Sequence, residues 1–541
     1  MGFLFRYRGL LRFLGVAALV LLVLVGVAIG LSVLSRGWVA AGLAVVALVL
    51  LWLGRRAARW VPRRTVLELD LERGVVERAG RSWPRGGEQK PLVLRDVVDA
   101  LRRATGDRRV VGLLVRIGAF APGLAVAQEL RDAVLAFRAS GKRAAAWAET
   151  LGEGQSATVE MYLASAFDEV IVQPTGEVGL TGMLVEQPFA RETLDKLGVD
   201  PQIDHRREYK TAKYMFTERS MPEPHRESVQ ALMNSQVEQL VGGIAEGRGL
   251  EPGGVRDLFD RGPFTAREAK EAGLVDELAY RDEVYDAVAT TLKGKLLNLE
   301  VYLRRARRPH RKGATIALVH GTGAIVRGKS RPPGMPGGAR MGSDDVAAAL
   351  RKAAKSKRVK AIVLRVDSPG GSAVASDVIL REVKRAREQG TPVVVSMGNV
   401  AASGGYYVAC GADEIVADEG TITGSIGVVY GKFVVREVWK RLGVAWDSLQ
   451  VGDNADFWSG RHAFSEAGWQ KTQALLDEVY ADFKGRVAEG RGLSAEAVEA
   501  VARGRVWTGA QAHERGLVDR LGGLEVALER AKAVAGIDAA A

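Results

Sequence analysis

The chain reads as an α/β protein in which one domain occurs twice in tandem, behind an N-terminal apolar anchor. Three observations carry this. Two uncharged runs open the chain, matching segments recur in the same order in both halves, and short β-rich runs alternate with amphipathic ones.

The anchor comes first. Phe13 to Leu34 holds no charged residue and exceeds the roughly 20 apolar residues a helix needs to cross a bilayer. Trp38 to Leu53 is a second, shorter run. No small-residue cleavage site follows cleanly, which disfavours a cleaved signal peptide. Arg6, Arg8 and Arg12 precede the first run, Arg36 alone separates the two, and Arg55, Arg56, Arg59, Arg63 and Arg64 follow. Excess positive charge marks the cytoplasmic side, so residues 1–60 are expected to form a hairpin in the lipid bilayer with both ends inside. If the second run does not cross, the remainder lies outside instead.

With 541 residues there is room for a large core, and 47% hydrophobic against 26% charged residues is ordinary globular composition with apolar sequence added. The net charge of +12 does not point to nucleic acid, because much of it is arginine flanking the apolar runs and a basic stretch near residue 305. The single cysteine, Cys410, excludes an internal disulfide and a cysteine-based metal site, and is expected in the core.

The duplication follows. Arg109–Arg116 resembles Arg358–Arg365, Asp168–Val172 resembles Asp413–Ala417, Gly179–Gly182 matches Gly424–Gly427, and Gly273–Asp276 matches Gly516–Asp519. The spacing stays nearly constant, and each copy is far longer than a solenoid repeat. The expected domains are 61–300 and 314–541, joined by the basic stretch Arg304–Gly313. In the second, Ala361–Val366 and Pro392–Ser396 read as buried strands and Ser376–Gln389 as a helix, which implies parallel α/β units. The Gly- and Pro-rich stretch Gly328–Gly342 reads as a mobile loop.

Two segments bear chemistry. In Asp367-Ser368-Pro369-Gly370-Gly371-Ser372, paired glycines after a strand let backbone N–H groups approach a ligand, although Pro-Gly-Gly is also an ordinary turn. In Ala401-Ala402-Ser403-Gly404-Gly405-Tyr406-Tyr407, the pattern passes from strand to helix, so Ser403 is expected at a helix N-terminus. The N–H of Gly404, with that of Gly370 or Gly371, would suit the oxyanion of a tetrahedral intermediate. By itself this segment reads first as a plain N-cap serine among small packing residues. None of His205, His225, His310, His320, His462 and His513 lies in a triad pattern, and there is no H-E-x-x-H. A lysine can replace histidine as base when burial lowers its pKa.

The segments Asp367–Ser372, Ala401–Tyr407 and Thr423-Gly424-Ser425-Ile426-Gly427, in that order, resemble the signature of the signal peptide peptidase A family in its long, duplicated form. The resemblance runs from about residue 65 to residue 535. It implies a fold related to Clp proteases and crotonases, and serine endopeptidase activity with Ser403 as nucleophile. It implies a lysine base in the first half after a tyrosine, here Lys210 of Tyr209-Lys210, with Lys213 as competitor. It assigns Ser425 to positioning the lysine and requires no metal or cofactor. It also implies apolar peptide substrates such as cleaved signal peptides, a bacterial-type plasma membrane, and a homotetramer.

The duplication supports a single joint site. At the position aligned with Ser403 the first half has Thr158, followed by Val159 and Glu160. Ser425 aligns with Leu180, and Lys210 aligns with Ala455. Each half lacks what the other keeps. A crotonase-like acyl-CoA enzyme would share the fold yet need neither Ser403 nor Lys210. A non-catalytic membrane scaffold would have no reason to keep Ser403, Lys210 and Ser425.

Overall fold

In a computed structural model, the structure describes residues 60–78, 80, 90–118, 120–309, 313–333 and 337–538, together with 23, 42–50 and 52. Residues 62–303 and 307–541 form one compact unit, and residues 1–61 with Arg304–Ala306 form another. In the smaller unit, residues 42–50 are helical and largely exposed. The expected span Phe13–Leu34 lies outside the described residues apart from Val23, and the second run lies partly outside them. Among the described residues no helix is long and apolar enough to cross a membrane.

The two largest sheets of the large unit share one strand order. In the first half, parallel strands run Glu277–Leu278, Glu169–Val172, Arg143–Ala148, Val110–Arg116, Thr65–Asp70, with Lys295–Asn298 added at the edge. In the second, Arg520–Leu521, Glu414–Ala417, Val393–Ala402, Val359–Ser368 and Thr315–Thr322 repeat that order in parallel. Each half also carries a helix, Glu223–Arg248 or Glu466–Arg491, that ends on a left-handed glycine, Gly249 or Gly492.

The apolar runs form strands because both sheet faces are covered. Ile362, Leu364, Val393 and Val395 face the helices Ala373–Glu388 and Gly404–Ala409. Their neighbours Ala361, Val363 and Val394 face the helix Leu524–Val534. Both strands extend past the apolar cores seen in the sequence, to Ser368 and Ala402, and carry the chemistry-bearing segments at their C-terminal ends.

The stretch expected to be a loop, Gly328–Gly342, contributes a strand at its end. Arg340–Gly342 pairs in parallel with Ala324–Val326, and Arg331 and Arg340 exchange backbone hydrogen bonds. Residues 334–336 lie outside the described residues.

One ribbon joins the halves. Asp200–His205 pairs antiparallel with Val429–Val434, His205 standing opposite Val429. Lys210 follows the first strand closely and Ser425 shortly precedes the second, so this pairing draws them together.

Candidate active site

Ser403 sits where the strand Val393–Ala402 turns into the helix Gly404–Ala409, with φ 54° and ψ −118°. A left-handed φ at a non-glycine residue costs on the order of 1–3 kcal/mol and persists only where surroundings enforce it. Here the Ser403 N–H donates to Gly424 O at 2.9 Å and its carbonyl accepts from Tyr407 N at 2.9 Å. The hydroxyl makes no helix-capping bond. The packing N-cap suggested by the segment alone is therefore not its role, and Oγ is left for another partner.

That partner is Lys210, whose Nζ lies 3.0 Å from Ser403 Oγ. Nζ also donates to the Ser425 carbonyl and hydroxyl oxygens, each at 3.0 Å. Ser425 is itself held at φ 52°. Lys210 is 6% exposed, and burial pushes its ammonium down to about 8, with no carboxylate opposing the shift. The competitor Lys213 points elsewhere, onto Asp204 Oδ1 at 3.0 Å.

A loop from the second half seals the lysine in. Tyr209 N donates to Arg503 O at 3.1 Å, and Gly504 N donates to Ile426 O at 2.8 Å. Gly504 has φ +82°, and a Cβ there would stand 2.4 Å from Lys210 N. At Gly427 a Cβ would meet the lysine stem at 3.1 Å. His205 Nδ1 lies 2.7 Å from the Lys210 carbonyl, so it donates to it and fixes the tautomer. Neither the 503–504 loop nor His205 was singled out from sequence. Both act through the folded backbone, and no motif marks them.

The glycine segment packs against Ser403. Ile325 N donates to Gly370 O at 2.9 Å and Ser372 N to Ile325 O at 3.0 Å, so the Gly371 N–H faces away from Ile325. Gly370 N donates to Ser368 Oγ at 3.1 Å. The Gly371 nitrogen is 3.1 Å from where a Gly404 Cβ would be, and the Gly404 nitrogen 2.6 Å from where a Gly370 Cβ would be, so the two segments are in close contact. No group of three or more His, Cys, Asp or Glu able to hold a metal occurs among the described residues. Cys410 is buried in the core, where burial pushes its thiol up to about 12.

Known proteins resemble this chain over most of its length. The profile of Peptidase family S49 matches residues 136–295 and 385–538. The "Serine protease SPPA, chloroplastic" of Arabidopsis thaliana is 31% identical over 491 residues, covering 88% of this chain and 70% of that protein. "Protease 4" of Salmonella typhi is 33% identical over 460 residues, covering 82% and 72%. This chain belongs to peptidase family S49.

As an S49 peptidase it is a serine-type protease with a duplicated α/β body. A ClpP1 mutant from Listeria monocytogenes aligns with 39% of the S49 chain and 94% of its own at 15% identity, with a TM-score of 0.26, too low to bear on the fold.

The first half of the S49 chain retains the same scaffold without the groups. Ala157 N donates to Gly179 O at 2.7 Å and Met161 N to Ala157 O at 2.8 Å, the bonds that Ser403 makes in the second half. Ala157, not Thr158, is therefore the counterpart of Ser403, and Thr158 stands where Gly404 does. Counting back from the helix N-caps Gly123 and Ser372, Pro122 takes the place of Gly371 and has no N–H to offer. The buried Glu160 carboxylate accepts from Ala121 N at 2.9 Å and fills the space. Leu180, fully buried, stands in for Ser425.

Proposed function

We propose that this S49 peptidase is a membrane-bound serine endopeptidase in which Ser403 attacks a peptide carbonyl and Lys210 serves as base. The single observation that carries the reading is the 3.0 Å contact between Lys210 Nζ and Ser403 Oγ. A neutral amine has two N–H groups and one lone pair. The two Ser425 oxygens take both N–H groups, which leaves the lone pair for the Ser403 proton. With a pKa of about 8, roughly a tenth of the lysine is neutral at pH 7 and most of it at pH 9.

Lys210 takes the hydroxyl proton as Ser403 Oγ bonds to the carbonyl carbon, and the C=O π electrons move to oxygen. Gly371 and Gly404 N–H groups stabilise that oxyanion; Gly370 is the weaker candidate because its N–H already serves Ser368 Oγ. Protonated Lys210 passes the proton to the leaving amine, and the C–N bond breaks to give an acyl-enzyme. Neutral Lys210 then takes a proton from water as its oxygen bonds to the acyl carbon; the ester C–O bond breaks, Lys210 returns the proton to Ser403 Oγ, and the acid leaves. No metal or cofactor enters any step.

The apolar N-terminal runs and flanking arginines favour work at a bilayer of the bacterial plasma-membrane type. Extended apolar peptides, cleaved signal peptides among them, are the substrates proposed, and the active form proposed is a homotetramer. The test is hydrolysis of a short apolar peptide by the full chain in detergent beside Ser403→Ala. Loss of turnover in the variant supports the reading. Equal turnover removes Ser403 as nucleophile, and thioester turnover without peptide hydrolysis would favour the acyl-CoA alternative.

A further inference from the structure

The strand that ends at Ser403 is irregular just before it gets there. Val366 pairs with Met397 and Ser368 with Ala401, so Asp367 alone stands opposite Gly398, Asn399 and Val400. Bulges of this kind re-aim a strand, and they concentrate beside active sites. Two contacts within the second half hold this one. Val400 N donates to Asp367 Oδ1 at 3.1 Å, and Thr421 Oγ1 donates to Gly398 O at 2.8 Å.

The third contact crosses to the other half. Asn399 Oδ1 accepts from Val126 N at 3.2 Å. Val126 is the third residue of the helix Leu124–Ala139, whose own N-cap, Gly123, offers no side chain. An N-cap oxygen ordinarily binds the N–H of the second or third helical residue. Asn399 thus caps a first-half helix from the second half. The fit is close: a Cβ on Gly123 would stand 2.2 Å from Asn399 Oδ1. Gly123 has φ −64° and ψ 154°, which any residue adopts, so contact with Asn399 is the constraint there and backbone conformation is not. The same helix is gripped further along, where Gly420 N donates to Gln128 Oε1 at 2.8 Å and Leu524 N to Glu129 Oε2 at 3.0 Å.

We infer that Asn399 is a positioning residue, which ties the bulge leading to Ser403 to the half that supplies Lys210 and so sets the Ser403–Lys210 distance. The inference rests on the functional reading above. Loss of the cap frees the bulge, and a shift of about 1 Å at a reacting pair costs up to about 100-fold in rate.

The experiment measures kcat and KM on an apolar reporter peptide with the full chain in detergent. Rates are normalised by titrating reactive serine with a fluorophosphonate, so that unfolded protein does not count. Asn399→Ala is expected to lower kcat about 10- to 100-fold with KM near wild type. Asn399→Asp keeps an oxygen acceptor at the helix N-terminus and is expected to recover most of the loss. Gly123→Ala, which pushes Asn399 away, is expected to mimic Asn399→Ala. Combined with Asn399→Ala it should add no further loss, because the atom it collides with is gone. Wild-type kcat in Asn399→Ala, or losses that multiply in the double variant, would overturn the inference. Ser403→Ala is assayed alongside; if it turns over normally, the functional reading itself fails, and that result is distinct from either of those.

Discussion

Lys210 Nζ and Ser403 Oγ are 3.0 Å apart although 193 positions separate them in the chain. The ribbon Asp200–His205 with Val429–Val434 brings the lysine across, and the Ala502–Arg505 stretch buries it. The contact is a product of the joined halves and belongs to neither copy alone.

The burial that tunes Lys210 should be visible in stability. Its folded pKa of about 8 lies below the roughly 10.4 of an unfolded lysine, so the unfolded chain binds more protons between those values. Stability from this group therefore rises with pH through that window, and the full penalty of about 3 kcal/mol applies below pH 8. Lys210→Met removes the penalty. Its thermal midpoint should match or exceed wild type at pH 7, and the difference should shift in favour of wild type by pH 9.5. A difference independent of pH would mean that the lysine is not desolvated.

Ser425→Ala removes one of the two oxygens that hold the amine. The peptidase rate should fall roughly 10- to 100-fold, since the lone pair is no longer aimed at Ser403. The charged lysine loses an acceptor, so the acid limb of the kcat/KM profile should move to lower pH. A pH–rate series on the variant measures both effects, and a limb moved upward would contradict the arrangement.

Gly404→Ala tests the oxyanion donors. The new methyl would lie 2.7 Å from Ser376 Oγ and 3.1 Å from Gly371 N, close enough to push the two proposed donors apart. Turnover should drop about 100- to 1,000-fold while circular dichroism stays native.

The first half offers a negative control. Ala157→Ser in a Ser403→Ala background restores a hydroxyl at the equivalent place, yet Pro122 gives no N–H and Leu180 no hydroxyl. That double variant should stay inactive in peptide hydrolysis. Recovered activity would show that a hydroxyl on this scaffold needs neither the second N–H donor nor the serine that holds the base.

How far the sequence revealed this arrangement differs from residue to residue. The strands were legible because Val393–Val395 and Ala361–Val366 are buried on both faces and need continuous apolar side chains. Ser403 stood out because its conformation and close neighbours demand small residues, which leaves a dense local motif. Lys210 carries no comparable mark. Its low pKa arises from burial by Gly504 and Gly427, far away in the chain, and only family resemblance pointed to it. The one-residue slip between Thr158 and Ala157 arose where the first half has lost the glycines that would anchor the alignment. The Asn399 cap was invisible because the helix it caps belongs to the other copy.

The most direct measurement is the rate at which a fluorophosphonate labels the full chain, read by peptide mass spectrometry from pH 6 to 10. Labelling should fall on Ser403, rise with pH through about 8, and be slowed at least 100-fold in Lys210→Met. Equal labelling in Lys210→Met, or a label on another residue, would contradict the pairing of Ser403 with Lys210.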